Sequence, residues 1–72
     1  MKKYEYIAYI DYYHRCLVNG DIDTQTCKLM ISNEIMCAWN DSQIAGEDMY
    51  IILRHSDSIF QELAERIKRK EK

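Results

Sequence analysis

Side chains able to do chemistry are few in this sequence, and they are scattered. The two histidines, His14 and His55, fall in different predicted helices and make no general-base arrangement on their own. His14 reads as lying at the edge of an apolar arc and His55 on a polar side, so both are expected to be surface or boundary residues. The three cysteines, Cys16, Cys27 and Cys37, are odd in number and contain no C-x-x-C pair. Each falls at a position that reads as core, where a free thiol packs as a small apolar group. A zinc site from these cysteines and the two histidines lacks the short ligand spacings zinc uses. Asp21-Ile22-Asp23 alternates two carboxylates but has none of the remaining calcium ligands. The chain has no Gly-rich phosphate loop, H-E-x-x-H, G-x-S-x-G or EF-hand loop. The expectation is no catalytic residue, no metal, no cofactor and no enzymatic activity.

With 72 residues, 47% of them apolar and 31% charged, the chain is one domain over 1–72 with a modest core. No stretch approaches the ~18 apolar residues that cross a bilayer, and Met-Lys-Lys followed by tyrosines and a glutamate is no signal peptide. A cytoplasmic protein with reduced thiols and no membrane partner is therefore expected. Proline is absent and there are only two glycines, so helix breakers are scarce.

Three segments repeat apolar residues near every 3.6 positions, which predicts an all-α three-helix bundle with helices at about 3–19, 24–40 and 47–70. In the first, Tyr6, Tyr9, Ile10, Tyr13, Cys16 and Leu17 share an arc, with Asp11 and Arg15 opposite. Gly20 reads as the C′ residue that ends it. Asp23 or Thr24 reads as the next N-cap, with Ile22 stapled back onto the helix. In the second helix Cys27, Met30, Ile31, Ile35, Cys37, Ala38 and Trp39 spread over ~200° of the wheel, wider than one core stripe. Leu29 and Met36 lie outside that arc among Gln25, Ser32, Asn33 and Asn40, and only Lys28 and Glu34 are charged. Helix 2 therefore reads as buried on most sides. Ile44 repeats the role of Ile22 in the second turn. The third helix carries Met49, Ile52, Leu53, Ser56, Ile59, Phe60, Leu63 and Ile67 on one face. Ser56 is expected to bond its own i−4 carbonyl. Tyr50 and Ile51 fall off the stripe.

The net charge of −2 hides an asymmetry: residues 21–65 hold nine acids against two bases, whereas 66–72 hold five bases and one acid. That acidic body repels phosphate, so the folded part is not expected to bind nucleic acid. The basic end at 66–72 reads as a fraying helix terminus that complements the macrodipole.

Taken together, these features describe a protein-interaction module, a homodimer through helix 2. Its expected role is that of a regulator or inhibitor docking onto a larger protein with a basic surface. That protein would be of the nucleic-acid-handling kind, as with the small proteins of phages and other mobile elements. The interface candidates are Leu29, Ser32, Asn33, Met36 and Asn40, with exposed Tyr4, Tyr12, Tyr50 and Ile51. The acids expected to face a basic partner are Asp41, Glu47, Asp48, Asp57 and Glu62. The alternative is a helix-turn-helix DNA-binding regulator, with Gln25, Ser32 and Asn33 reading bases from helix 2. Residues 15–35, from Arg15 to Leu29-Met30-Ile31-Ser32-Asn33-Glu34-Ile35, also resemble the helical hairpin of a family of aspartyl-phosphate phosphatases. The second helix of that family carries Ser-Gln-Glu-Leu-Asp. Ser32, Glu34 and Ile35 match it in kind, but Asn33 replaces the glutamine and Met36 the aspartate, so the resemblance implies no phosphatase activity.

Overall fold

A chain with so few breakers folds as three α-helices and two tight turns. The computed structural model describes residues 2–70, with α1 at Lys2–Val18, α2 at Thr24–Trp39 and α3 at Gly46–Lys70. Each end lies within one residue of its expected position. The three helices pack on one another as an all-α bundle, running up, down and up.

The first turn follows from two residues. Gly20 adopts φ +85°, which only glycine takes without strain, and the amides of Gly20 and Asp21 donate to the carbonyls of Leu17 (3.0 Å) and Cys16 (2.9 Å). This is the Schellman closure, and it satisfies two carbonyls that the end of α1 would otherwise leave open. Asp23 then caps α2, its carboxylate accepting the Thr26 amide at 2.7 Å. In the second turn Asp41 accepts the Gln43 amide at 2.9 Å, an Asx turn. Ile22 and Ile44, one in each turn, both pack against the core as expected.

The core is a column of Ile10 and Leu17 from α1, Cys27, Ile31 and Ala38 from α2, and Met49, Ile52, Ile59 and Leu63 from α3. Burying a side chain such as Ile31 or Ile52 contributes about 1.5–3 kcal/mol. Ser56 is fully buried in this column, and its hydroxyl donates to the Ile52 carbonyl at 2.9 Å. The α3 stripe matches the sequence reading except that Leu53 lies at its exposed margin.

Several α1 and α2 assignments are corrected. Tyr9 is 53% exposed, while Ile7 packs on the core in its place. The buried face of α1 is rotated because it serves two neighbours, α2 through Tyr6 and Tyr13 and α3 through Lys3, Asp11 and His14. Asp11, read as facing away, therefore sits in the α1–α3 seam. Of the three cysteines only Cys27 is buried; Cys16 is half-buried and Cys37 exposed. Burial pushes the Cys27 thiol up, so it is an inert packing group. Trp39 and Cys37 leave the expected arc of α2, because α1 and α3 together cover only the side bearing Cys27, Ile31 and Ala38.

The bundle measures 42 × 19 × 15 Å. At 1.5 Å per residue α3 is ~37 Å long against ~25 Å for α1, so its last turns extend past the other two helices. Arg66, near the start of that extension, is tied to Glu62. Glu71 and Lys72, part of the expected basic end, lie outside the described residues.

Candidate docking interface

The outward side of α2 is where the fold leaves apolar surface in water. Leu29 is 70% exposed, Met36 58% and Trp39 69%. With Gln25 and Ser32 they recur at 25, 29, 32, 36 and 39, alternating steps of four and three that form one straight seam along a helix. The seam is ~21 Å long at 1.5 Å per residue. Asn33 and Asn40 flank it, both exposed, and Ser32 is half-buried. None of these seven side chains carries a charge. Lys28 is the nearest cation on α2, while Glu34 is turned toward α1, where it accepts the Tyr13 hydroxyl at 2.9 Å.

Four other candidates lie elsewhere. Tyr4 and Tyr12 are exposed on α1, and Tyr50 and Ile51 on α3. These four stand on α1 and α3 and are not part of the α2 seam itself. Tyr12 packs edge-on against Tyr13 with ring centroids 5.9 Å apart, and the Cys16 thiol beside its hydroxyl raises its pKa. Tyr50 lies under the Arg54 guanidinium at 5.8 Å. Trp39, absent from the candidates read off the sequence, belongs to the seam, as does Gln25, which the sequence offered only as a base-reading side chain in the alternative. The four-three spacing of Leu29, Ser32 and Met36, continued in both directions, was the signal for both.

The acids divide into two groups. Asp41 accepts the Tyr6 hydroxyl at 2.7 Å and lies 3.9 Å from Lys2, and Asp48 pairs with Lys3 at 3.1 Å. Glu62 meets His14 at 2.8 Å and Arg66 at 3.2 Å. These three stitch the helices together. Glu47 and Asp57 instead project to solvent from α3. The Gln43 amide and the Tyr6 hydroxyl hold the Asp41 carboxyl below its usual range, and His14 does the same for Glu62. The Tyr6 hydroxyl is pushed up to about 12 by its bond to Asp41, and that of Tyr13 to about 12 by burial and then by Glu34.

The histidines are boundary residues with defined partners. His14 of α1 meets Glu62 of α3, and His55 of α3 meets Asp11 of α1 at 2.6 Å. Each imidazole is engaged across the α1–α3 seam. Among the described residues no three His, Cys, Asp or Glu side chains are grouped to hold a metal ion, and no helix is long and apolar enough to cross a membrane. Comparison with known proteins finds no matching family, curated protein or solved structure. At the position of the hairpin phosphatases' aspartate stands the exposed thioether of Met36.

Proposed function

We propose that this chain is a protein-docking module that works through the outer face of α2. It forms a homodimer and acts as a regulator or inhibitor of a larger protein with a basic surface. A single observation carries the reading: three large apolar side chains, Leu29, Met36 and Trp39, stand in water along one uncharged seam. Isolated exposed apolar residues are ordinary, but an aligned set containing tryptophan has the composition of an interface centre. Acids outnumber bases nine to two over residues 21–65, which supports a basic partner and steers its approach. Glu47 and Asp57, free of the internal stitching, are the acids placed to meet it.

The test compares the wild-type chain with Leu29→Lys/Met36→Lys, both tagged, in retaining proteins from a cell extract. Retention of untagged chain, or of a basic protein whose retention weakens as salt rises, by the wild type alone is the expected result. Identical retention by both proteins, or retention of a basic protein that is indifferent to ionic strength, would sink the reading.

A further inference from the structure

We infer that the occupant of the α2 seam is the same seam of a second copy, running antiparallel about a two-fold axis at Ser32–Asn33. This rests on the docking reading and specifies its first partner. The argument begins with register. Leu29 and Met36 lie equally far on either side of the midpoint between residues 32 and 33, as do Gln25 and Asn40. Reversing a second α2 about that point sets Leu29 against Met36 of the other copy, and Met36 against Leu29. Trp39 then comes level with Thr26 of the other copy, one residue from Gln25, whose amide oxygen can accept the indole N–H. Ser32 and Asn33, the short side chains of the seam, meet at the axis, where two helices must approach most closely. The patch is self-complementary, as a two-fold interface requires.

Charge permits a second copy at this strip and favours the orientation. Two bodies that each carry an acidic excess repel over most of their surfaces, and the α2 seam is a strip where neither contributes a carboxylate. Parallel pairing would set Lys28 level with Lys28 of the second copy and align the two helix dipoles. Antiparallel pairing separates the two lysines by ~13 Å along the axis and sets each α2 N-terminus beside the other's C-terminus. Parallel pairing would also stack the two tryptophans at one end and two glutamines at the other, whereas reversal packs large against small at both.

The area sets the strength. Leu29, Met36 and Trp39 leave roughly 400 Å² exposed per chain, given ~150–250 Å² for an aromatic side chain and somewhat less for the aliphatic ones. With the flanking amides and Ser32, two copies cover about 1,200 Å² in total, the lower end for a specific interface. An interface of that size suits a reversible dimer, whose dissociation constant is set by packing quality and not by area.

Sedimentation of the wild type from ~1 µM to ~1 mM tests the association, and oxidative cross-linking tests the orientation. Cysteines are introduced in a Cys37→Ser background, since Cys37 is the exposed native thiol. The expected results are a dimer at the upper concentrations and a self-linked Ser32→Cys chain, with Leu29→Cys linking to Met36→Cys but not to itself. A disulfide requires Cα atoms within ~7 Å, so these pairings separate the two orientations. Self-linking of Leu29→Cys without the mixed product, or a wild type that is monomeric throughout, would overturn the inference. A monomer that still retains a basic protein only when Leu29 and Met36 are intact would overturn the pairing and leave the docking reading standing. A monomer that retains nothing would overturn both.

Discussion

If α2 pairs with a second copy, the melting temperature depends on protein concentration, and its slope is calculable. For a folded dimer that melts to unfolded chains, a tenfold rise in concentration stabilises each dimer by ~1.4 kcal/mol, or ~0.7 kcal/mol per chain. In a domain of this size 1 kcal/mol shifts Tm by ~4–8 °C, so each decade raises Tm by roughly 3–6 °C wherever the dimer predominates. Leu29→Lys/Met36→Lys removes that slope. Both positions are largely exposed in the single chain, at 70% and 58%, so charge there costs the monomer no more than ~0.5 kcal/mol each. The variant keeps wild-type helicity by circular dichroism and melts within a few degrees of dilute wild type at every concentration. Calorimetry at 10, 100 and 1,000 µM, as order-of-magnitude concentrations, makes the comparison for both proteins. A concentration-independent wild-type Tm would refute self-pairing. A variant that fails to fold would refute the exposure of the seam, because a side chain facing water cannot hold the core together.

Two predictions concern the body of the bundle. Ser56→Ala is expected to leave Tm unchanged or raise it by a few degrees: the hydroxyl serves only the Ile52 carbonyl, and alanine is the better helix former by ~0.5 kcal/mol. A loss above ~1 kcal/mol would show that the hydroxyl has a further role in the core. Stability should also fall at both ends of the pH range. Asp41 and Glu62 have lowered carboxyl pKa values, so their contribution is present above the unfolded value near 4 and disappears as pH drops through the folded ones. Tyr6 and Tyr13 are raised to about 12, so theirs is complete below the unfolded value near 10 and is lost as pH climbs through 12. Thermal melts across pH, with Asp41→Asn and Tyr13→Phe flattening the acid and alkaline sides respectively, provide the check. A Tm that rises between pH ~5 and ~3 would contradict the assignment of the acid side.

What the sequence disclosed followed the range of the physics involved. Both turns were legible because their chemistry is local: Gly20 provides the positive φ, and Asp23 reaches an amide three residues ahead. The α3 stripe was legible because its repeat is sustained from Met49 to Ile67, and a long repeat fixes a face without knowledge of its neighbours. The arc of α1 was misplaced by one residue column. Single-helix periodicity weighs apolar side chains and ignores polar ones that face a neighbour, and here Lys3, Asp11 and His14 all turn toward α3. Trp39 failed for the converse reason. Its type and spacing mark it for burial, but nothing in its own helix says which surface will cover it. The likeness between the two turns shows the same limit: Ile22 and Ile44 do equivalent work, yet Leu17 is buried while Trp39, at the same 22-residue offset, is among the most exposed side chains.

That exposure bears on why α2 has so little charge. Its core side needs only Cys27, Ile31 and Ala38, with Met30 and Ile35 at the margins. The remaining positions of an ordinary surface helix carry lysine and glutamate, which favour helix formation and solubility. Here Gln25, Ser32 and Asn33 occupy such positions although none of them belongs to the buried core, and serine and asparagine are weaker helix formers than the charged residues they stand in for. Their common property is that they can be withdrawn from water at the cost of a hydrogen bond and not of an ion. A surface kept neutral against helix propensity and solubility, and strung with leucine, methionine and tryptophan, is suited to being covered.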